Sequence, residues 1–123
     1  MHTVGVDIIE IERIREALER WGERFLNRIY TAPEQKLCRT RPGSLAGRFA
    51  GKEAVMKALG TGVRGVGWRE IEILSERSGK PIVKLSGNAA TKAASLGLGT
   101  LAISLSDSRE YAIAMVVSEL ARL

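Results

Sequence analysis

The stretch from Ser44 to Gly62, S-L-A-G-R-F-A-G-K-E-A-V-M-K-A-L-G-T-G, is the feature around which the chain is organised. Leu45, Ala46, Phe49, Ala50, Met56 and Leu59 recur at three- and four-residue steps. That is the period of one helix with a buried stripe. Ser44 reads as its N-cap, because a serine hydroxyl accepts from an otherwise unpaired backbone N–H. Gly60 reads as its stop, since glycine takes the left-handed conformation beyond a helix end without steric cost.

One residue breaks the stripe. Glu53 falls between Phe49 and Ala46, on the side facing the core, with the small Ala46 and Ala50 as neighbours. Lys57 follows four residues later, and Glu before Lys at that spacing suits a pair that adds only about 0.2–0.5 kcal/mol on an exposed face. A partly buried structural ion pair is one reading. A site that leaves room for a ligand is the other.

A second carboxylate lies inside an apolar run at the N-terminus, T-V-G-V-D-I-I-E-I from Thr3 to Ile11. Val4, Val6 and Ile8 alternate and share one face of a strand, with Gly5 and Asp7 on the other. Asp7 at the end of this buried strand is either an N-cap for the next helix or a ligand for a hard metal ion.

Glu10 to about Tyr30 reads as helix, weakened at Gly22, which marks a bend or a break. Arg13, Arg20, Arg24 and Arg28 form a basic ridge off its apolar face. Thr31-Ala32-Pro33-Glu34 is a capping box that opens a short helix. The segment R-T-R-P-G leads into the long helix, and G-T-G-V-R-G-V-G follows it without matching a P-loop or a dinucleotide fingerprint. Trp68–Leu74 and Ile82–Leu85 read as a hairpin around Ser78-Gly79-Lys80-Pro81, with Ile71 and Ile73 inward. Asn88 to Leu96 reads as a helix, and Leu101, Ile103 and Leu105, then Tyr111 to Val117, as strands. Helices early and strands late favour α+β with antiparallel pairing, here a small sheet on a long helix.

Composition narrows the partners. At 123 residues the chain is expected to form one domain, residues 1–123. Nineteen Lys and Arg against 14 Asp and Glu leave a formal charge of +5, which favours an anionic partner. The lone Cys38 allows no internal disulfide and fits a reducing compartment. Neither a leader with a basic and then an apolar region nor a membrane-span-length apolar run is visible, so a soluble cytoplasmic protein is expected.

Taken together, these segments resemble the holo-[acyl-carrier-protein] synthase family, the short class of 4′-phosphopantetheinyl transferases. G-V-D-I-I-E-I resembles the family's opening strand, and R-F-A-G-K-E-A-V-M-K-A-L-G-T-G its signature helix and glycine turn. W-R-E-I-E-I, G-K-P, S-L-S and E-Y-A-I-A complete the family's order. The resemblance implies the phosphopantetheinyl transferase fold. It implies that a serine hydroxyl of an acyl carrier protein attacks the β-phosphate of coenzyme A, in support of fatty acid biosynthesis. It implies Mg2+ held by Asp7 and Glu53, with Glu53 and Lys57 catalytic. Arg48, Lys57, Gly60, Thr61, Pro81 and Asp107 are implied at the coenzyme A site, and Arg13, Arg20 and Arg24 at the surface that docks the carrier protein. A homotrimer with sites between protomers is implied, and neither a nucleic acid nor a membrane is an expected partner. The physics agrees: two carboxylates about 4 Å apart at an effective dielectric near 20 repel by about 4 kcal/mol, which a dication removes.

One position departs from the family's pattern. Where it usually has histidine after S-L-S, this chain has Asp107, with Arg109 close enough in sequence to compensate. Two rival readings remain at this level. A basic nucleic-acid-binding module has few aromatics to stack bases and leaves Asp7 and Glu53 without a role. A non-catalytic homologue that only docks carrier proteins rests on Asp107 alone.

Overall fold

The helical period of residues 44–62 runs as α4, Pro42–Leu59, in a computed structural model that describes residues 1–120. The helix starts earlier than expected. Pro42 takes the first turn, where a missing N–H costs nothing, and Arg41 stands at the N-cap without a side-chain bond. Ser44 is therefore inside the first turn and is not the cap. Gly60 does end the helix, in the left-handed conformation with φ of 74°. Leu45, Ala46, Ala50, Met56 and Leu59 are buried and Phe49 is half-buried, but burial extends around the helix to Gly51, Lys52, Ala54, Val55 and Ala58. A single stripe was expected; α4 is instead enclosed on several sides.

What encloses it comes from both ends of the chain. Strand β1 (His2–Glu10) is followed by α1 (Ile11–Trp21), α2 (Glu23–Ile29) and α3 (Ala32–Cys38). After α4 come a 3-10 turn (Trp68–Glu70), β2 (Ile71–Ser75), β3 (Pro81–Leu85), α5 (Gly87–Ser95), β4 (Ala102–Asp107) and β5 (Tyr111–Glu119). All pairings are antiparallel; β1-β5-β4 form one sheet with β5 central, and β2-β3 a second. The expected α+β class holds, with two small sheets on the long helix where one was read.

Several local readings hold as well. Gly22, at φ of 53°, separates α1 from α2. Thr31 and Glu34 close the capping box of α3. Ile71 and Ile73 are fully buried. Trp68–Glu70, however, form the 3-10 turn instead of the start of a strand.

The faces of β1 divide as the alternation predicts, with Val4, Val6 and Ile8 on one and Gly5 and Asp7 on the other. Gly5 and Ile9 are buried against α4 and Asp7 shares their side, whereas Val4, Val6 and Ile8 are 59, 50 and 57% exposed. Alternation identifies which residues share a face but not which face is covered. Close approach decides it: a β-carbon on Gly5 would stand 1.9 Å from the Ala54 carbonyl oxygen. Thr3 Oγ1 donates to the Ala58 carbonyl at 2.7 Å along the same seam. The outer face is continued on β5 by Ile113 and Met115, which pair with Ile8 and Val6 and are 40 and 50% exposed.

Candidate active site

The seam between β1 and α4 brings the two acids together. Asp7 is two residues beyond Gly5 and so lies on the same side of β1; Glu53 immediately precedes Ala54, the residue Gly5 touches. Glu53 is half-buried, and its pKa is pushed up to about 7, first by burial, then by a hydrogen bond with the Asp7 carboxyl and by its like charge. Lys57 and Arg13 pull in the opposite direction. Such a pair holds a proton at neutral pH unless a cation relieves it.

Lys57 takes a different partner from the one its spacing suggested. Its Nζ bonds Asp7 Oδ1 at 3.2 Å and the Val6 carbonyl at 3.0 Å, so its direct contact is with the strand, across from Glu53. An i,i+4 pair needs only one helix, whereas this contact needs the sheet as well. The Lys57 side chain is about half exposed.

The remaining expected residues lie along α4 toward both ends. Arg48 is five residues before Glu53, about 7 Å along the axis at ~1.5 Å per residue. Its guanidinium donates to Ser75 Oγ at 2.9 Å and to the Ile73 carbonyl at 3.4 Å. Pro81 pairs with that same Ser75 across the β2-β3 hairpin. Arg48 also lines a small cleft of about 100 Å3 with Gly43, Ser44, Gly47, Leu105, Ser106 and Asp107. Arg109 does not reach this cleft; it lines another, with Glu10, Glu12, Arg15 and Glu110. Among the described residues no ion pair joins Arg109 to Asp107. At the other end of α4, Thr61 N–H bonds the Met56 carbonyl at 3.1 Å and Thr61 Oγ1 the Gly62 carbonyl at 3.0 Å.

The arginine ridge divides. Arg13 is near enough to Glu53 to lower its pKa. Arg20 and Arg24 flank the Trp21 ring at 5.1 and 5.9 Å. Beside them opens a pocket of about 460 Å3 lined by Trp21, Arg24, Phe25, Arg28, Phe49 and Trp68, with Phe49 and Trp68 stacked at 4.8 Å. Phe49 is one helical turn from Glu53, so pocket and carboxylates are neighbours on α4.

This pocket was not read from the sequence. Only its arginines were visible, as a ridge; its aromatic lining comes from three separate segments. Also missed was the ion pair of Lys52 and Glu34, both fully buried, at 2.7 Å. Glu34 was legible only as part of a capping box, which it also completes.

Comparison with known proteins identifies the family. A family model described as the 4′-phosphopantetheinyl transferase superfamily matches residues 3–116. A holo-[acyl-carrier-protein] synthase from Dehalococcoides mccartyi is 54% identical over 115 residues, spanning 94% of this chain and 96% of its own length. One from Herpetosiphon aurantiacus is 47% identical, spanning 95 and 98%. Among solved structures, the Helicobacter pylori holo-[acyl-carrier-protein] synthase in complex with coenzyme A superposes with a TM-score of 0.86 at 33% identity, over 94% of this chain and 99% of that one.

Proposed function

Because the chain belongs to the 4′-phosphopantetheinyl transferase superfamily, we propose that it moves 4′-phosphopantetheine from coenzyme A to a serine of an apo-acyl carrier protein. The serine oxygen forms a bond to the β-phosphorus, the bond from that phosphorus to the bridging oxygen breaks, and adenosine 3′,5′-bisphosphate leaves. The observation that carries this reading is the meeting of Asp7 with Glu53, whose raised pKa marks a carboxylate placed to hold a proton near neutrality.

The donor set fits Mg2+, a hard cation commonly bound by one or two carboxylates together with substrate phosphates and water. Asp7 and Glu53 would hold it, and their mutual repulsion is the reason a dication is favoured there. When bound, it neutralises charge on the transferring phosphoryl group.

The chain's own groups supply the rest. Glu53, ionised, accepts the serine proton at a carboxylate oxygen, directly or through water. Lys57, half exposed beside Asp7, offsets negative charge on the pyrophosphate and the departing nucleotide. Arg48, Pro81 and Asp107 border the nucleotide end of the coenzyme A site, and Gly60 and Thr61 the end of α4 beyond Lys57.

Arg13, Arg20 and Arg24 form the docking surface for the carrier protein. The pocket between Trp21, Phe25 and Trp68 adds an apolar floor inside a basic rim, which suits an acidic amphipathic helix. The formal charge of +5 supports the same partner. The exposed apolar face of Val4, Val6, Ile8, Ile113 and Met115 supports a homotrimer, since an uncovered sheet face of this kind favours association. The biological setting of this reading is cytoplasmic fatty acid synthesis; no helix of the described residues is long and apolar enough to cross a membrane.

The direct test is incubation with apo-carrier protein, coenzyme A and Mg2+, followed by intact mass measurement of the carrier. A mass gain of one phosphopantetheine group is expected, lost when Mg2+ is chelated and in Glu53→Gln. An unmodified carrier with all components present would overturn the proposal.

A further inference from the structure

Lys52 and Glu34 take no part in the chemistry above, yet both are fully buried. The Lys52 ammonium donates to Glu34 Oε1 at 2.7 Å, to the Trp68 carbonyl at 2.9 Å and to the Ile71 carbonyl at 2.5 Å. An ammonium has three protons, so each is committed, to α3, to the 3-10 turn and to the start of β2. Glu34 in turn accepts from Thr31 N–H at 2.9 Å and from Ile73 N–H at 2.8 Å. Burial pushes the Lys52 pKa down and Glu34 pulls it back.

Stability alone is a poor reason for such a pair, since apolar residues of the same volume commonly hold a core as well or better. What apolar contacts cannot do is aim a particular carbonyl. Here the aimed carbonyl belongs to Trp68, which directly follows the glycine-rich segment 60–67. The Trp68 ring lies on Phe49, 22° from parallel, and together they form one side of the pocket that also contains Arg24 and Arg28.

We propose that the Lys52–Glu34 pair is a positioning device for carrier-protein recognition: it seats Trp68 against Phe49 and so shapes the pocket that receives the carrier's docking helix. The inference rests on the docking surface proposed above. Neither residue touches the substrate; both act through Trp68.

The test removes both charges at nearly constant volume, as Glu34→Gln with Lys52→Met. Kinetics are measured in the otherwise wild-type chain; Trp21→Phe, which leaves Trp68 as the sole indole of a chain with two tryptophans, is added only to read Trp68 emission. Emission from Trp68 is expected to move to the red and to become more accessible to acrylamide. The KM for apo-carrier should rise about tenfold, the usual scale for loss of an aromatic anchor, while kcat and the KM for coenzyme A stay near the parent's values. Trp68→Ala should raise the same KM, and adding it to the double variant should raise it no further, as expected for residues acting as one unit. If the double variant does not fold, Glu34→Gln alone, which keeps an acceptor for Ile73 N–H, is measured in the same way. A lower melting temperature with unchanged Trp68 emission and unchanged carrier KM would overturn the proposal and reduce the pair to a structural staple. If the wild type modifies none, the transferase reading has failed, and the recognition role fails with it.

Discussion

Gly5 lies so close to Ala54 that any β-carbon on it would stand 1.9 Å from the Ala54 carbonyl oxygen and 3.0 Å from the Ala58 nitrogen. The obstacle is helix backbone, which cannot swing aside as a flexible side chain can. β1 would have to lift from α4, and Asp7, two residues on, would move away from Glu53. Gly5→Ala is therefore expected to cost about 3 kcal/mol in stability, at the upper end of overpacking effects. Thermal or denaturant unfolding measures it. The same variant should let the Glu53 pKa fall back toward its ordinary value, because the shift from Asp7 depends on that contact.

Glu53 itself sets a pH dependence with a definite sign. Its folded pKa of about 7 exceeds the ordinary 4.5, so between those values the folded state binds the proton more tightly than the unfolded chain does. Stability from this group is fully present below pH 4.5 and is lost as pH rises through 7. Melting temperatures of the metal-free protein across this window, compared with those of Glu53→Gln, isolate the contribution: the wild type should decline more steeply. Mg2+ should remove most of the difference. Parallel curves would mean that the two carboxyls do not interact.

Asp107 Oδ2 lies 3.6 Å from the position a β-carbon on Gly43 would occupy. It therefore sits at the N-terminal end of α4, where a negative charge is favoured and already supplied. Arg109 faces a different cleft. Asp107→His should lower the KM for coenzyme A about three- to tenfold, corresponding to relief of roughly 1 kcal/mol of charge repulsion. The gain should grow as pH falls and the imidazole protonates. Steady-state kinetics at two pH values checks this, and an unchanged KM would take Asp107 out of the nucleotide site.

Val6 is 50% exposed opposite Met115, also 50% exposed, on the outer face of the three-stranded sheet. A charge there points to solvent in an isolated chain but into an interface in an oligomer. Val6→Lys should leave the melting of the isolated chain within about 0.5 kcal/mol of the original, as for most surface substitutions. It should also reduce the mass measured by light scattering after size-exclusion chromatography. A monomeric wild type would remove the trimer from the functional account.

Much of this molecule was legible because its signals are local. A 3.6-residue period from Leu45 to Leu59, the Thr31–Glu34 box and the break at Gly22 each depend on neighbours a few residues away. The motifs containing Asp7 and Glu53 carried a family resemblance, and the relatives bear that out. Which face of β1 is covered was not legible, because alternation groups Val4, Val6 and Ile8 without saying what they meet. Their exposure follows from Gly5, whose lack of a side chain lets the other face come closer to α4.

The amino-acid order by itself determined the helical segments, the stop at Gly60, the α+β class and the two acids worth watching, since these follow from backbone sterics and short-range periodicity. Only the tertiary structure decided which face of β1 meets α4, that Lys57 bonds Asp7 at 3.2 Å, and that Lys52 finds Glu34 18 residues away. Those contacts join segments distant along the chain, and their partners are chosen by which backbones can approach and which buried charges must be satisfied. Neither condition has a signature within a short window of residues.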